Sequence, residues 1–156
     1  MAKEASGWIK IREALKALDP KLHTIRIENG LLYGAGTPDV NLCLKRVDAW
    51  VENKALTHWP DVPADRVIKL DPEFNDQQRL WHRARWAAGG NCWLILAVLR
   101  ERDWLLFSGD TAAEFVGIST RQVLIREASF YYQGGPFPAK LFWEHIRTRA
   151  LRAREL

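Results

Sequence analysis

The chain has 156 residues, 47% of them hydrophobic, 27% charged and 11% aromatic, with eight tryptophans. That is enough apolar mass for one domain that buries roughly two thirds of its unfolded surface, and it excludes disordered, low-complexity and collagen-like chains. Lys and Arg outnumber Asp and Glu by 23 to 19, and a net charge of +4 permits a polyanionic partner without requiring one.

Residues 6–18 place Ile11, Leu15 and Leu18 at helical spacing behind Ser6 as N-cap, which predicts a helix ended by Pro20. The opening Met-Ala-Lys-Glu-Ala-Ser holds no apolar run of the secretory-signal kind. Residues 22–28 alternate apolar and polar and predict a strand closed by Asn29-Gly30. Three glycines between Gly30 and Thr37 predict an irregular loop. Two further strands, 39–45 and 47–54, are separated so briefly that a hairpin joins them. Residues 56–76 hold three prolines and four aspartates and read as an ordered loop or insertion rather than a core element.

A helix is predicted over 76–88, stopped by Gly89-Gly90. The continuous apolar run 92–99 is too short to cross a bilayer and reads as a strand buried on both faces. Residues 104–107 complete a second hairpin, and Asp110-Thr111 begin a short helix ending at Gly117. Residues 119–133 read equally as helix or strand. A basic helix over 138–154 follows the break at Gly134-Gly135-Pro136. Cys43 and Cys92 sit in apolar runs with no partner at zinc spacing, so a reducing, cytoplasmic setting is expected. The order predicts an α/β domain with a central mixed sheet and a mostly helical C-terminal extension.

Three pieces of sequence carry chemistry. Gly36-Thr37-Pro38-Asp39 delivers a carboxylate at the start of a strand. In Glu52-Asn53-Lys54 the outer two side chains project from one sheet face, because strand period is two. Paired in a hairpin, the two strands bring Asp39 beside Glu52 with an ammonium next to both. Like charges at that range repel. A divalent cation removes the conflict, and two acids suit Mg²⁺, which keeps several waters and takes phosphate oxygens. Such an ion polarises a scissile phosphate and lowers the pKa of a water. Lys54 could position that water and neutralise charge on the phosphorane oxygens.

The third piece is the helix over 76–88. At about 100° per residue, Gln78, His82 and Arg85 fall within roughly a 60° arc, opposite Leu80, Trp81, Ala84, Ala87 and Ala88. This predicts a polar stripe of Gln78, His82 and Arg85 and an apolar side.

Taken in order, Gly36-x-Pro38-Asp39, Glu52-x-Lys54 and Gln78-x-x-x-His82 resemble the PD-(D/E)XK nuclease superfamily. They are most similar to small stand-alone nucleases of the VRR-NUC and Holliday-junction-resolvase-like kinds, many of them phage-encoded. Arg26-Ile27-Glu28-Asn29 ahead of the loop also resembles a subset. The match covers roughly residues 8–107, as a single nuclease domain over 1–156 with an extension at 108–156. The resemblance implies a restriction-endonuclease-like α-β-β-β-α-β core and a metal-dependent DNA endonuclease, selective for junctions or flaps. It implies Asp39 and Glu52 as metal ligands for Mg²⁺ or Mn²⁺, Lys54 as the catalytic lysine, and Gln78 and His82 as supporting groups. Family members usually carry a further acid ahead of the Pro-Asp; Glu28 and Glu13 are the candidates, Glu28 favoured as nearer the loop. Residues 55–76 make a longer gap than compact members need.

Arg79, Arg83 and Arg85 crowd one segment and are expected to contact DNA phosphates, and the Arg147–Arg154 cluster is either a second contact or a solvated face. Trp93 and Trp104 belong to the core. Trp59 and Trp86 either pack or stack on a base. A symmetric homodimer is the simplest way for one domain to reach both strands of a junction. The alternative reading is a fold that binds nucleic acid, or serves in phage assembly, without cutting.

Overall fold

The structure is a computed structural model that describes residues 2–27 and 34–155. Helix α1 (Ala2–Leu18) leads into β1 (His23–Arg26), β2 (Val40–Leu44) and β3 (Val47–Leu56). Helix α2 (Asp76–Ala87) then returns the chain to β4 (Cys92–Val98), followed by β5 (Asp103–Ser108). The remainder is α3 (Gly109–Phe115), α4 (Arg121–Glu127), β6 (Phe130–Tyr132) and α5 (Ala139–Ala153). The α-β-β-β-α-β core and the mostly helical extension are both present. Six strands form one mixed sheet in chain order, with β3 and β4 parallel and the other pairs antiparallel.

The hairpin joining β2 to β3 turns on Lys45 and Arg46, both at positive φ, which matches the twist of the flanking strands. The Asp19 carboxylate accepts from Lys45 N at 2.8 Å and holds that turn against the end of α1. Strand pairing is set by Val40 opposite Val51. One sheet face carries Val40, Leu42, Val51, Ile95 and Leu106 under Ile11, Leu15, Phe142 and Ile146, from α1 and α5. The opposite face packs Leu94, Leu96, Leu105 and Phe107 under α3 and α4. Strand β4 is buried along its whole length, as a strand covered on both faces must be.

Three sequence expectations are corrected. Helix α1 begins at Ala2, four residues before the predicted cap. Residues 57–75 are not peripheral, since Trp59, Ile68, Leu70 and Phe74 are buried in the second core. Buried Asp103 pins this segment by accepting from Trp59 Nε1 at 3.0 Å, Tyr131 Oη at 2.8 Å and Gly134 N at 3.1 Å. The predicted polar stripe of α2 is divided: Gln78 and His82 turn inward, His82 being the helix's one buried residue, while Arg85 is exposed, and on the apolar side Leu80 is 63% exposed and Ala84 and Ala87 face solvent. The ambiguous stretch 119–133 divides into α4, capped by Thr120 Oγ1 accepting from Val123 N, and the edge strand β6.

Candidate active site

The register between β2 and β3 sets the site. One rung beyond the Val40–Val51 pair, Asp39 reaches β3 where β2 no longer covers it, and its Oδ2 accepts from Asn53 N at 3.1 Å. Glu52 and Lys54 project from one face of β3, with Lys54 Nζ 3.4 Å from Glu52 Oε1. Lys54 Nζ also lies 3.7 Å from Glu4 Oε1 and donates to the Glu73 carbonyl at 3.2 Å. The proline-rich segment thus fixes the ammonium from one side and α1 from the other.

Gln78 completes the cluster through the start of α2. Asn75 Oδ1 accepts from Gln78 N at 3.0 Å and Gln78 Oε1 accepts from Asn75 N at 2.9 Å, a reciprocal capping box. That bond orients the amide so that Gln78 Nε2 donates to Glu52 Oε1 at 2.7 Å. Gly36, in the loop ahead of Asp39, packs directly on this helix start, where an ideal Cβ would lie 2.2 Å from Gln77 O.

Glu52 is 1% exposed and Lys54 4%. Burial, followed by the Asp39 charge, drives the Glu52 carboxyl well above its ordinary range against the pull of Lys54. Burial also raises Asp39 and Glu4, opposed by the Asn53 N–H and Lys54 at Asp39 and by Lys54 at Glu4. Glu52 Oε2 is buried with no hydrogen-bond partner among the described residues. Three carboxylates share one ammonium here, and an orphaned buried oxygen is costly unless a proton or cation takes it. Among the described residues no group of three or more His, Cys, Asp or Glu is gathered as a ready-made ion cage. Mg²⁺ does not need one, since it binds through one or two carboxylates and keeps water on its other positions. The donor set of Asp39 and Glu52 fits that ion.

The structure therefore brings together Asp39, Glu52, Lys54 and Gln78. Glu13 is exposed on α1, nine residues and about 13 Å along the helix from Glu4, and is not part of the cluster. Glu28 lies outside the described residues. Glu4 is the acid that sequence reading missed. Its signal was present, because extending the Ile11–Leu15 stripe backward at helical spacing passes through Trp8 to residue 4.

His82 is placed apart from phosphate or solvent. It is 0% exposed, Nδ1 donates to the Gln78 carbonyl at 2.9 Å, and its ring meets Phe74 and Trp81 edge-on. Burial pushes its pKa down to about 4, so the ring is neutral at pH 7. An unfolded His at about 6.5 binds its proton first, so stability falls as pH drops from about 6.5 to about 4. The loss from this residue is about 3 kcal/mol at 1.36 kcal/mol per unit. Urea midpoints at pH 7 and pH 4.5 should show a loss larger by about 2 kcal/mol in the native chain than in His82→Phe; equal losses in both would clear His82 as the cause.

Of the three arginines expected at DNA, Arg79 donates to the Ala113 and Val116 carbonyls at 3.1 and 2.6 Å and lies over Phe74, tying α2 to the end of α3. Arg83 is exposed, and Arg85 is exposed with its guanidinium 5.6 Å from the Trp81 ring. Trp59 is buried under Arg121, and Trp86 lies between Arg149 and Trp93. Trp59 is covered, while Trp86 is partly exposed with Arg149 over its ring. No described helix is long and apolar enough to cross a membrane.

No protein-family model matches the chain, and no curated protein matches it in sequence. Among solved structures it is similar to Hjc, a Holliday junction resolvase from the archaeal hyperthermophile Archaeoglobus fulgidus. That similarity has 14% identity and a TM-score of 0.48, over 86% of this chain and 96% of the other.

Proposed function

We propose that this chain is a divalent-metal-dependent DNA endonuclease of the PD-(D/E)XK type, of the small stand-alone VRR-NUC or Holliday-junction-resolvase-like kind. The observation that carries the reading is the buried Glu52 Oε2 without a partner, in a cluster where three carboxylates face one ammonium. That oxygen needs a proton or a cation, and in this reading the cation takes it.

In this reading Asp39 and Glu52 hold Mg²⁺, or Mn²⁺ in its place, and Glu4 serves as the additional acid. When bound there, the cation supplies Lewis acidity toward a phosphate oxygen and acidifies water toward neutral pH. Lys54, relieved of its contact with Glu52, orients the attacking water and balances charge growing on the phosphate. Gln78 is a positioning residue that holds the Glu52 carboxylate in one rotamer through the capping box. Arg83 and Arg85 lie where they can meet DNA phosphates. A symmetric homodimer would present two such sites to the two strands of a junction.

A second reading, binding of nucleic acid without cutting, draws on the near-complete burial of Glu52 and Lys54. Divalent cation separates the two. Mg²⁺ or Mn²⁺ at a hundred times its Kd should stabilise the purified chain by about 2.7 kcal/mol, a rise of about 5–10 °C in Tm. The same ions should support cleavage of supercoiled plasmid and synthetic junctions, and EDTA should stop it. Neither a thermal shift nor a cut with any substrate would leave the non-cutting reading standing.

A further inference from the structure

Trp50 stands two residues from Glu52 on the same face of β3, about 7 Å along the strand. Trp81 stands one helical turn beyond Gln78 on α2, so it neighbours the residue that holds Glu52. The two rings meet at 5.8 Å between centroids and 64° between planes. Both are partly exposed, as are Trp86 and Trp143, whereas Trp8, Trp59, Trp93 and Trp104 are buried. The exposed Arg85 guanidinium lies over the Trp81 ring at 5.6 Å from its centroid, and exposed Arg83 is on the same helix.

Among the described residues, nothing covers the sheet beyond this pair. Ile25, Asn41 and Trp50 form one rung across β1, β2 and β3, and His23, Cys43 and Asp48 form the next. Paired residues share a face, so these side chains project on the side that carries Glu52. His23, Ile25, Cys43 and Asp48 are all exposed, with Ile25 at 47%. Behind them Leu42, Leu44, Ala49 and Val51 are buried under α1 and α5. A sheet surface left uncovered on one side only, ending at an aromatic pair with a cation beside it, is a lane that leads to the catalytic acids.

We propose that Trp50 and Trp81 are specificity-determining residues that stack an unpaired base of the strand being cut, next to the scissile phosphate. DNA with a single-stranded stretch at the cut is then preferred to continuous duplex. This rests on the nuclease reading and names the substrate class for that same site. Inside a continuous duplex both faces of a base are covered by its neighbours. A base that stacks on a protein ring must first leave that stack, which an unpaired base does at least cost. The guanidinium of Arg85 adds charge for the adjoining phosphate and keeps the rings in an electropositive setting.

The test uses the full chain in EDTA with one oligonucleotide sequence in three forms: single strand, fork and continuous duplex. 2-Aminopurine is placed at successive positions, and affinity is read by fluorescence anisotropy. The native chain should bind fork and single strand more tightly than duplex and quench 2-aminopurine at a restricted position. Trp50→Leu and Trp81→Leu keep apolar bulk between α2 and β3 but offer no aromatic face. Each should weaken fork binding about tenfold or more and leave duplex affinity and Tm near native values, while Trp81→Phe retains most of the preference. In Mg²⁺, the ratio of fork to duplex cleavage should fall in the Leu variants. Unchanged fork preference in folded Leu variants overturns the platform and leaves the nuclease reading intact. A native chain that neither binds nor cuts any of the three forms overturns both.

Discussion

Glu52→Gln removes metal-dependent cleavage, lowering the single-turnover rate about 1000-fold or more while the fold persists. The amide is nearly isosteric, so Gln78 Nε2 still finds an oxygen to donate to. What disappears is the charge: the cation loses one of its two anionic ligands. Three powers of ten correspond to about 4 kcal/mol at 1.36 kcal/mol per tenfold, within what a metal ion supplies to a phosphoryl transition state. The same variant should lose the Tm rise produced by Mg²⁺ or Mn²⁺. Lys54→Met is the informative contrast, because it keeps the aliphatic stem and deletes the ammonium. Its rate should fall about 100- to 1000-fold, yet the thermal response to cation should remain, since all three carboxylates are retained. A Glu52→Gln protein that cuts within tenfold of the native rate would show that the ion is held elsewhere.

Gly36→Ala should lower both stability and cleavage. The residue sits at φ +84, a region that costs an L side chain about 1–2 kcal/mol. Its new Cβ would lie 2.2 Å from Gln77 O and 2.9 Å from Gln78 N. Both are backbone atoms of α2, so no rotamer relieves the overlap and the helix start itself must move. That start carries the capping box that aims Gln78 at Glu52. A loss of about 3 kcal/mol in stability is expected, about 6–12 °C in Tm for a chain of this size, with a fall in cleavage rate beyond what stability explains. Gly34→Ala supplies the control: it is also at positive φ, +94, but a Cβ there meets nothing within 4 Å. Only the backbone cost applies at that position. Thermal melting and cleavage rates of the two variants, compared directly, isolate the contact. Equal effects would mean that conformation, and not the approach to α2, is what glycine serves at position 36.

Sequence alone determined what depends on neighbours along the chain. The period of a strand puts Glu52 and Lys54 on one face, the short link between 39–45 and 47–54 makes a hairpin, and that hairpin carries Asp39 to Glu52. The apolar run of β4 and the helix from Asp76 are equally local. Tertiary structure decided what depends on which surface an element meets. Helix α2 has a polar arc and an apolar arc, and periodicity says only that they differ. Gln78 and His82 turned inward, where Gln78 meets a carboxylate on β3, leaving Arg85 and Leu80 in solvent. Glu4 joined the acids because α1 extends past Ser6, where Glu4 in its first turn meets Lys54. Trp59, Ile68, Leu70 and Phe74 became core because β4 and β5 present a second apolar face that the proline-rich segment covers. Each of these was settled by a partner distant in sequence, and the spacing of residues along one segment carries no information about such a partner.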